Sequence, residues 1–160
     1  MRRGELTGQA IRQRGFGLVF LLLAVAVLGA TAMIVATDWA QQIQREKEDE
    51  LLRVGDQYAQ AIAAYYFGSP NPVRRYPNDL SALLEDRRVP FLRRHLRTLY
   101  ADPLTGSQDW GLVPAPDGGI MGVYSRSAKA PWQRMSMTLN HTNLPSAQQY
   151  SDWKFIARTP

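Results

Sequence analysis

The sequence contains no cysteine, and this absence excludes both a disulfide framework and a thiolate metal site. It has only two histidines, His95 and His141, and neither lies in a spacing typical of metal ligands. It also has no nucleophile-elbow motif and no glycine-rich phosphate loop. We therefore expect a protein that is not an enzyme and needs no cofactor. His95, which lies among arginines, is expected to be solvent-exposed.

Charged residues are absent from residues 16–36, which read FGLVFLLLAVAVLGATAMIVA. A helix needs about 20 apolar residues to cross the hydrocarbon layer of a bilayer. Arginines precede this stretch at four positions, whereas Asp38 is the only charged residue between it and Arg45. This asymmetry predicts a basic cytoplasmic leader over 1–15, a transmembrane helix over 16–37, and a C-terminal part outside the cytoplasm.

A conventional secretory signal is the alternative for the same segment. Ala30-Thr31-Ala32 has the small-x-small form of a cleavage site, and cleavage there would leave a mature chain that begins at Met33. Against this alternative, the apolar run continues through Val35, and helical periodicity resumes directly after it.

Proline is absent from residues 38–67, and glycine occurs there only at Gly55. Apolar residues recur with the spacing of one helical face, at Leu51, Val54, Tyr58, Ile62 and Tyr65. This pattern predicts an amphipathic stalk helix over 38–67, which ends before a glycine and two prolines. Its apolar face can complete the core of a small domain, whereas the charged run 45–50 is expected to be solvated.

The region 68–109 is predicted to be a loop region with two short helices. Asn78 is the expected cap of the first, which carries Leu80, Leu83 and Leu84 on one face. Pro90 is expected to begin the second, which continues to Leu99.

The region 110–160 is predicted to be a small antiparallel β region. Strands are expected at 110–113 and 119–125, on either side of a Pro116-Asp117-Gly118-Gly119 turn. Weaker strand patterns occur at 134–139 and 153–157, joined by the polar stretch 140–152. A long helix followed by a small antiparallel sheet defines an α+β fold.

The basic residues are nearly all arginines, and many of them lie close together in the sequence. Seven arginines face only three acidic residues within 74–97; they are Arg74, Arg75, Arg87, Arg88, Arg93, Arg94 and Arg97. We interpret them as a solvated electrostatic surface that pairs with acidic residues of a neighbouring molecule. Binding to an anionic polymer such as DNA, or to anionic lipid, is the alternative.

The acidic residues after position 100 are scattered at Asp102, Asp109, Asp117 and Asp152. Calcium requires six or more oxygen ligands that converge on one point. We therefore assign no metal ligand, and we expect Asp102 to stabilise the turn before Thr105-Gly106.

The segment Arg14-Gly15-Phe16-Gly17-Leu18-Val19-Phe20 resembles the class III signal of type IV pilin-like proteins. The resemblance implies that a prepilin peptidase cuts between Gly15 and Phe16 and methylates the new amino group of Phe16. It also implies that Phe20, Gly29, Ala30 and Ala32 pack in the core of a filament, where small residues allow close approach of helices.

Later segments resemble the pseudopilins of the type II secretion system, especially the G-type. They are Tyr65-Tyr66, Tyr76-Pro77-Asn78-Asp79-Leu80, Leu99-Tyr100-Ala101-Asp102-Pro103, Thr105-Gly106, Asp109-Trp110-Gly111-Leu112 and Gly122-Val123-Tyr124-Ser125. G-type pseudopilins carry a calcium loop, so calcium binding is the alternative to the absence of a cofactor, but no ligand is transferred to this chain. The implied function is structural, in an inner-membrane assembly that exports proteins. Its implied partners are other pseudopilins, inner-membrane secretion components, the prepilin peptidase and secreted proteins, with nucleic acid not expected.

Two residues depart from the family pattern. Gly17 replaces the usual threonine, and Phe20 replaces a glutamate that is thought to neutralise the N-terminal amine of a neighbouring subunit. A carboxylate in a bilayer is costly unless it has a partner, so Phe20 removes both the cost and the pairing. Three alternatives follow. The chain is a filament-tip subunit, or it is a sparse minor subunit of a secretion assembly, of a type IV pilus or of a DNA-uptake system. The third alternative is an uncleaved, membrane-anchored binding or scaffold module.

Overall fold

A computed structural model describes residues 12–70, 73–133 and 135–159, and for residues 12–16 and 30–38 it describes the backbone alone. Residues 1–11 of the predicted leader therefore lie outside the described part. The chain divides into two compact units, Met1–Ile43 and Gln44–Pro160.

One helix, α1, extends over Arg12–Phe67. Its end at Phe67 confirms the predicted boundary, and the N–H of Gly68 closes the last turn by donating to the carbonyl oxygen of Ala64 at 2.9 Å. Within the first unit, the described apolar side chains from Leu18 to Leu28 are mostly exposed. Among the residues included in the search, no helix is both long and apolar enough to span a membrane. The predicted span 16–37 includes Phe16 and residues 30–37, whose side chains lie outside the description.

The apolar stripe of α1 forms one wall of the core of the second unit. All five of its members are buried, as predicted, and they are Leu51, Val54, Tyr58, Ile62 and Tyr65. Gly55 lies directly against the ring of Phe155 and leaves no room for a side chain. The helix therefore supplies apolar surface that a domain of this size would otherwise lack.

A three-stranded antiparallel sheet forms the opposite wall. Its strands are β1 (Gly111–Pro114), β2 (Ile120–Tyr124) and β5 (Lys154–Ile156), in the order β1-β2-β5. The first two confirm the predicted strands, and the turn between them contains Gly118 with a φ of 86°. Val123 and Phe155 are paired across β2 and β5, and both are fully buried. The fold is thus α+β.

The C-terminal region contains a second, two-stranded sheet of β3 (Met137–Thr138) and β4 (Asn143–Leu144). The strand predicted over 134–139 is therefore shorter, and Arg134 lies outside the described residues. The prediction missed β4, which occurs inside the polar stretch 140–152. Leu144 is the one large aliphatic residue of that stretch, and it is buried.

The region 68–109 contains less helix than predicted. Leu80–Leu83 forms a short 3₁₀ helix, and its cap is Asp79 rather than Asn78, because an Asp79 carboxylate oxygen accepts the N–H of Ser81 at 3.1 Å. The helix predicted from Pro90 to Leu99 is wrong. The N–H groups of His95 and Leu96 both donate to the carbonyl oxygen of Leu83, which joins this non-helical segment to the end of the short 3₁₀ helix.

The charged run 45–50 was expected to be solvated, and this expectation is wrong at Glu48. The Glu48 side chain is buried and accepts hydrogen bonds from the N–H groups of Trp132 and Gln133, at 2.7 Å and 3.0 Å. Glu48 faces the loop that contains Trp132 and Gln133, and the periodicity of the sequence does not indicate which loop lies beside a helix.

Candidate interaction surface

The C-terminal end of α1 provides the base of the candidate surface. Phe67, its last residue, is about half exposed. Gly68 follows in a tight space, because a Cβ atom there would lie 2.9 Å from both the Ala64 carbonyl oxygen and Nη1 of Arg93. Nη1 of Arg93 also donates to the Gly68 carbonyl oxygen at 3.3 Å. The end of the helix is therefore joined directly to the segment that contains Arg93.

Asp86 is the buried acidic centre of the neighbouring loop. Its two carboxylate oxygens accept hydrogen bonds from Nε and Nη2 of Arg88, each at 2.8 Å. Oδ2 also lies 3.2 Å from Nε2 of His95. The hydrogen bonds from Arg88, followed by that from His95, hold the pKa of Asp86 well below its usual range, against the opposing effect of burial. The same pairing raises the pKa of Arg88.

Arg88 connects this loop to the last turns of α1. Nη2 donates to the carbonyl oxygen of Tyr65 at 2.8 Å, and Nη1 donates to Oγ of Ser69 at 2.8 Å. The guanidinium also lies over the Tyr65 ring, 3.4 Å from its centroid. Arg88 therefore has a structural role within the chain and is not a free charge for a partner.

Exposed aromatic and aliphatic side chains lie beside the remaining arginines. The guanidinium of Arg74 lies 5.0 Å from the ring centroid of Phe67, and that of Arg93 lies 5.6 Å from the ring centroid of Phe91. Val73 and Leu92, adjacent to these in sequence, are exposed by 64% and 66%. We define the arginine–aromatic surface as Phe67, Val73, Arg74, Phe91, Leu92 and Arg94.

The seven arginines that were predicted to form one surface have different environments in the structure. Arg88 and Arg93 contact the chain itself, and Arg87 forms a surface ion pair with Glu85 at 3.3 Å. Four are exposed and make no ion pair with any residue that the structure describes; they are Arg74, Arg75, Arg94 and Arg97.

His95 corrects a further expectation. Its side chain is only 6% exposed and is held by Asp86 and by the edge of the Tyr65 ring. Its nearest neighbours in sequence are arginines, and these predicted a solvated side chain. The turn between residues 86 and 93 instead brings Asp86 beside it.

Sequence reasoning also missed the apolar members of the surface. Leu92 was assigned to the second short helix, which does not form, and Phe67 was taken only as a helix end. The available signal was the pair of large apolar residues directly before two arginines in Pro90-Phe91-Leu92-Arg93-Arg94.

The residues of the predicted processing signal and filament core lie in the first unit. For Gly15, Phe16, Ala30 and Ala32 the structure describes the backbone alone. The Phe20 side chain is 67% exposed. A Cβ atom added at Gly29 would meet no atom within 4 Å.

Asp102 stabilises a turn, as predicted. It is fully buried and accepts hydrogen bonds from Oγ of Ser125 at 2.7 Å, the N–H of Leu104 at 2.9 Å and Oγ1 of Thr105 at 3.1 Å. In the part of the chain that the structure describes, no three residues of the histidine, cysteine or acidic types are grouped so as to hold a metal ion.

Comparison of the chain with protein-family models, with curated proteins and with solved structures finds no match.

Proposed function

We propose that the protein is a pseudopilin-like structural subunit of a type II secretion, or type IV pilus-like, assembly that helps to export proteins across the outer membrane. The observation that carries this proposal is the long helix α1, whose C-terminal part packs on a small antiparallel sheet. The predicted processing signal Arg14-Gly15-Phe16 lies near the N-terminal end of α1 and supports the same conclusion.

In the proposed role, the apolar residues 16–36 anchor the chain in the inner membrane, with residues 1–15 in the cytoplasm and the second unit in the periplasm. After cleavage, the same apolar residues pack against those of neighbouring subunits. Gly29 and the two small residues that follow it support close helix packing. The chain performs no reaction in this role, and other components of the assembly supply the energy.

A second candidate is an uncleaved, membrane-anchored binding or scaffold module. Phe20 is the observation that favours it, because this residue cannot neutralise the N-terminal amine of a neighbour. The two candidates differ in whether the leader is removed and in whether copies of the chain pack side by side.

The first test is the N-terminus of the full chain, extracted from membranes of cells that also produce a prepilin peptidase. Mass spectrometry should find a mature chain that begins at N-methylated Phe16, and Gly15→Leu should block cleavage. An intact Met1 in the parent chain would favour the anchored module. A start at Met33 would overturn the membrane proposal.

The second test is helix packing between copies. The chain has no cysteine, so single cysteines at Val19 or Leu23 provide unique crosslinking sites. If copies pack through this helix, mild oxidation in membranes should give disulfide-linked dimers. Leu112→Cys in exposed β1 is the matched control and should give none. Equal crosslinking at all three positions would argue against specific packing.

A further inference from the structure

The most exposed residues of the arginine–aromatic surface are not used to stabilise the fold. Arg94 contacts no charged partner among the described residues, and Leu92 and Phe91 are exposed by 66% and 60%. Large apolar side chains that lie together on a charged surface are a typical feature of binding sites. The neighbouring Arg88 and Arg93, by contrast, are used to fix the loop.

Contacts link the two segments that carry this surface. Arg74 lies over Phe67, and the next residue, Gly68, accepts a hydrogen bond from Arg93. Arg93 in turn lies over Phe91. The buried Asp86–Arg88 pair fixes the same loop to α1, so the exposed groups are held in position before any partner arrives. Such preorganisation reduces the entropy lost on binding.

The chemistry of these groups indicates the class of partner. A guanidinium presents a planar set of donors that matches a carboxylate with two parallel hydrogen bonds. Arg74 and Arg93 lie beside the rings of Phe67 and Phe91, which reduces the ring area on which a nucleic-acid base could stack. Exposed apolar side chains lie next to arginines in the sequence of both segments, and this combination suits a polypeptide that carries both acidic and apolar residues.

We propose that the arginine–aromatic surface binds an acidic polypeptide segment that also carries apolar side chains. The carboxylates pair with Arg74 and Arg94, and the apolar side chains pack on Phe91, Leu92 and Val73. This binding activity does not depend on whether the chain is cleaved or enters a filament, so its test can fail while the proposed function stands, and the reverse also holds.

The test measures binding of fluorescein-labelled peptides to the full chain in detergent micelles, by fluorescence anisotropy. The probe is a peptide of alternating glutamate and leucine. A peptide of alternating glutamate and serine has the same charge without the apolar groups, and one of alternating lysine and leucine reverses the charge. We expect the glutamate–leucine peptide to bind most tightly and to weaken as salt is added, because exposed ion pairs are screened.

Variants locate the site. Arg74→Glu combined with Arg94→Glu should weaken binding of the glutamate–leucine peptide by about tenfold, because it replaces two exposed ion pairs with repulsion between like charges. Leu92→Ser should reduce the preference for this peptide over the glutamate–serine peptide. Lys129→Glu, an exposed charge reversal outside the surface, should leave both affinities unchanged. Circular dichroism checks that each variant is folded, and Arg94→Ala, which removes no described contact, replaces the double variant if that one is unfolded.

Three results would overturn the proposal. The first is equal binding of the two glutamate peptides, which would indicate charge alone. The second is that phosphatidylglycerol vesicles or an oligo-dT strand bind more tightly than the peptide and that Arg94→Ala weakens this binding. That result would assign the surface to lipid or to nucleic acid. The third is peptide binding that none of the surface variants changes.

Discussion

The hydroxyl group of Tyr150 donates a hydrogen bond of 2.6 Å to the carboxylate of Glu48 on α1, and both residues are buried. Burial, followed by this hydrogen bond, raises the pKa of Tyr150. The backbone N–H groups of Trp132 and Gln133 donate to the same carboxylate. One side chain of the helix thus satisfies donors from two separate C-terminal segments.

Replacement of Glu48 with alanine is expected to destabilise the second unit by about 2–4 kcal/mol, because it leaves buried donors without an acceptor. Urea unfolding of the full chain in micelles, followed by circular dichroism, measures the change. Asp49→Ala removes the adjacent exposed carboxylate and should change the free energy of unfolding by no more than about 0.5 kcal/mol. Similar effects of the two substitutions would show that Glu48 is not a buried anchor.

Asp86 is expected to make stability depend on pH at the acidic end. Its pKa in the folded chain is lowered, chiefly by the hydrogen bonds from Arg88. A lowered folded pKa stabilises the fold above the unfolded value of about 3.9. This contribution should be lost as the pH falls below about 4 and through the folded pKa. Unfolding free energies measured between neutral and acidic pH test this.

The Asp86→Asn variant isolates the contribution of this one carboxylate from that of the others. At neutral pH it should be less stable than the parent by about 3 kcal/mol, because Arg88 loses its charged partner. As the pH falls, the difference between variant and parent should shrink. A difference that stays constant over the acidic range would contradict the assignment to Asp86.

Gly55 is a helical glycine whose replacement by alanine should be unfavourable. In an open helix the change would stabilise by up to about 1 kcal/mol. Here the added methyl group would overlap the Phe155 ring, and overpacking of this kind costs about 1–3 kcal/mol. Thermal unfolding should therefore show a lower midpoint for Gly55→Ala. The double variant Gly55→Ala with Phe155→Leu should lose less stability than the sum of the losses of the two single variants. If the losses simply add, the two residues are not in contact.

Asp102 should matter far more to stability than the exposed Asp109. Asp102→Ala removes the acceptor for Ser125, Thr105 and the Leu104 N–H, and we expect a loss of about 2–4 kcal/mol. Asp109→Ala breaks only a surface ion pair with Arg126, worth at most about 1 kcal/mol. Chemical denaturation of both variants gives the comparison. An equal loss for the two would refute the structural role of Asp102.

Periodic and turn patterns in the sequence were sufficient to predict the main elements. The stripe from Leu51 to Tyr65 predicted the buried face of α1, and Gly68 predicted its end. Alternation and the Pro116–Gly119 turn predicted β1 and β2. These features depend on local geometry, because a helix repeats every 3.6 residues and a strand every two. Local geometry of this kind can therefore be predicted from the order of the residues.

Contacts between distant residues decided the rest. Glu48 belongs by sequence to a solvated charged run, yet donors more than 80 positions away bury it. His95 has arginines as its neighbours in sequence, yet Asp86 becomes its partner in the folded chain. Of seven arginines in one stretch, only the tertiary structure shows that Arg88 is used internally while Arg74 and Arg94 face outward. Periodicity and turn patterns thus determined α1, β1 and β2. Which polar groups are buried depended on how the elements pack, because a charge loses its water only where a partner from elsewhere in the chain replaces it.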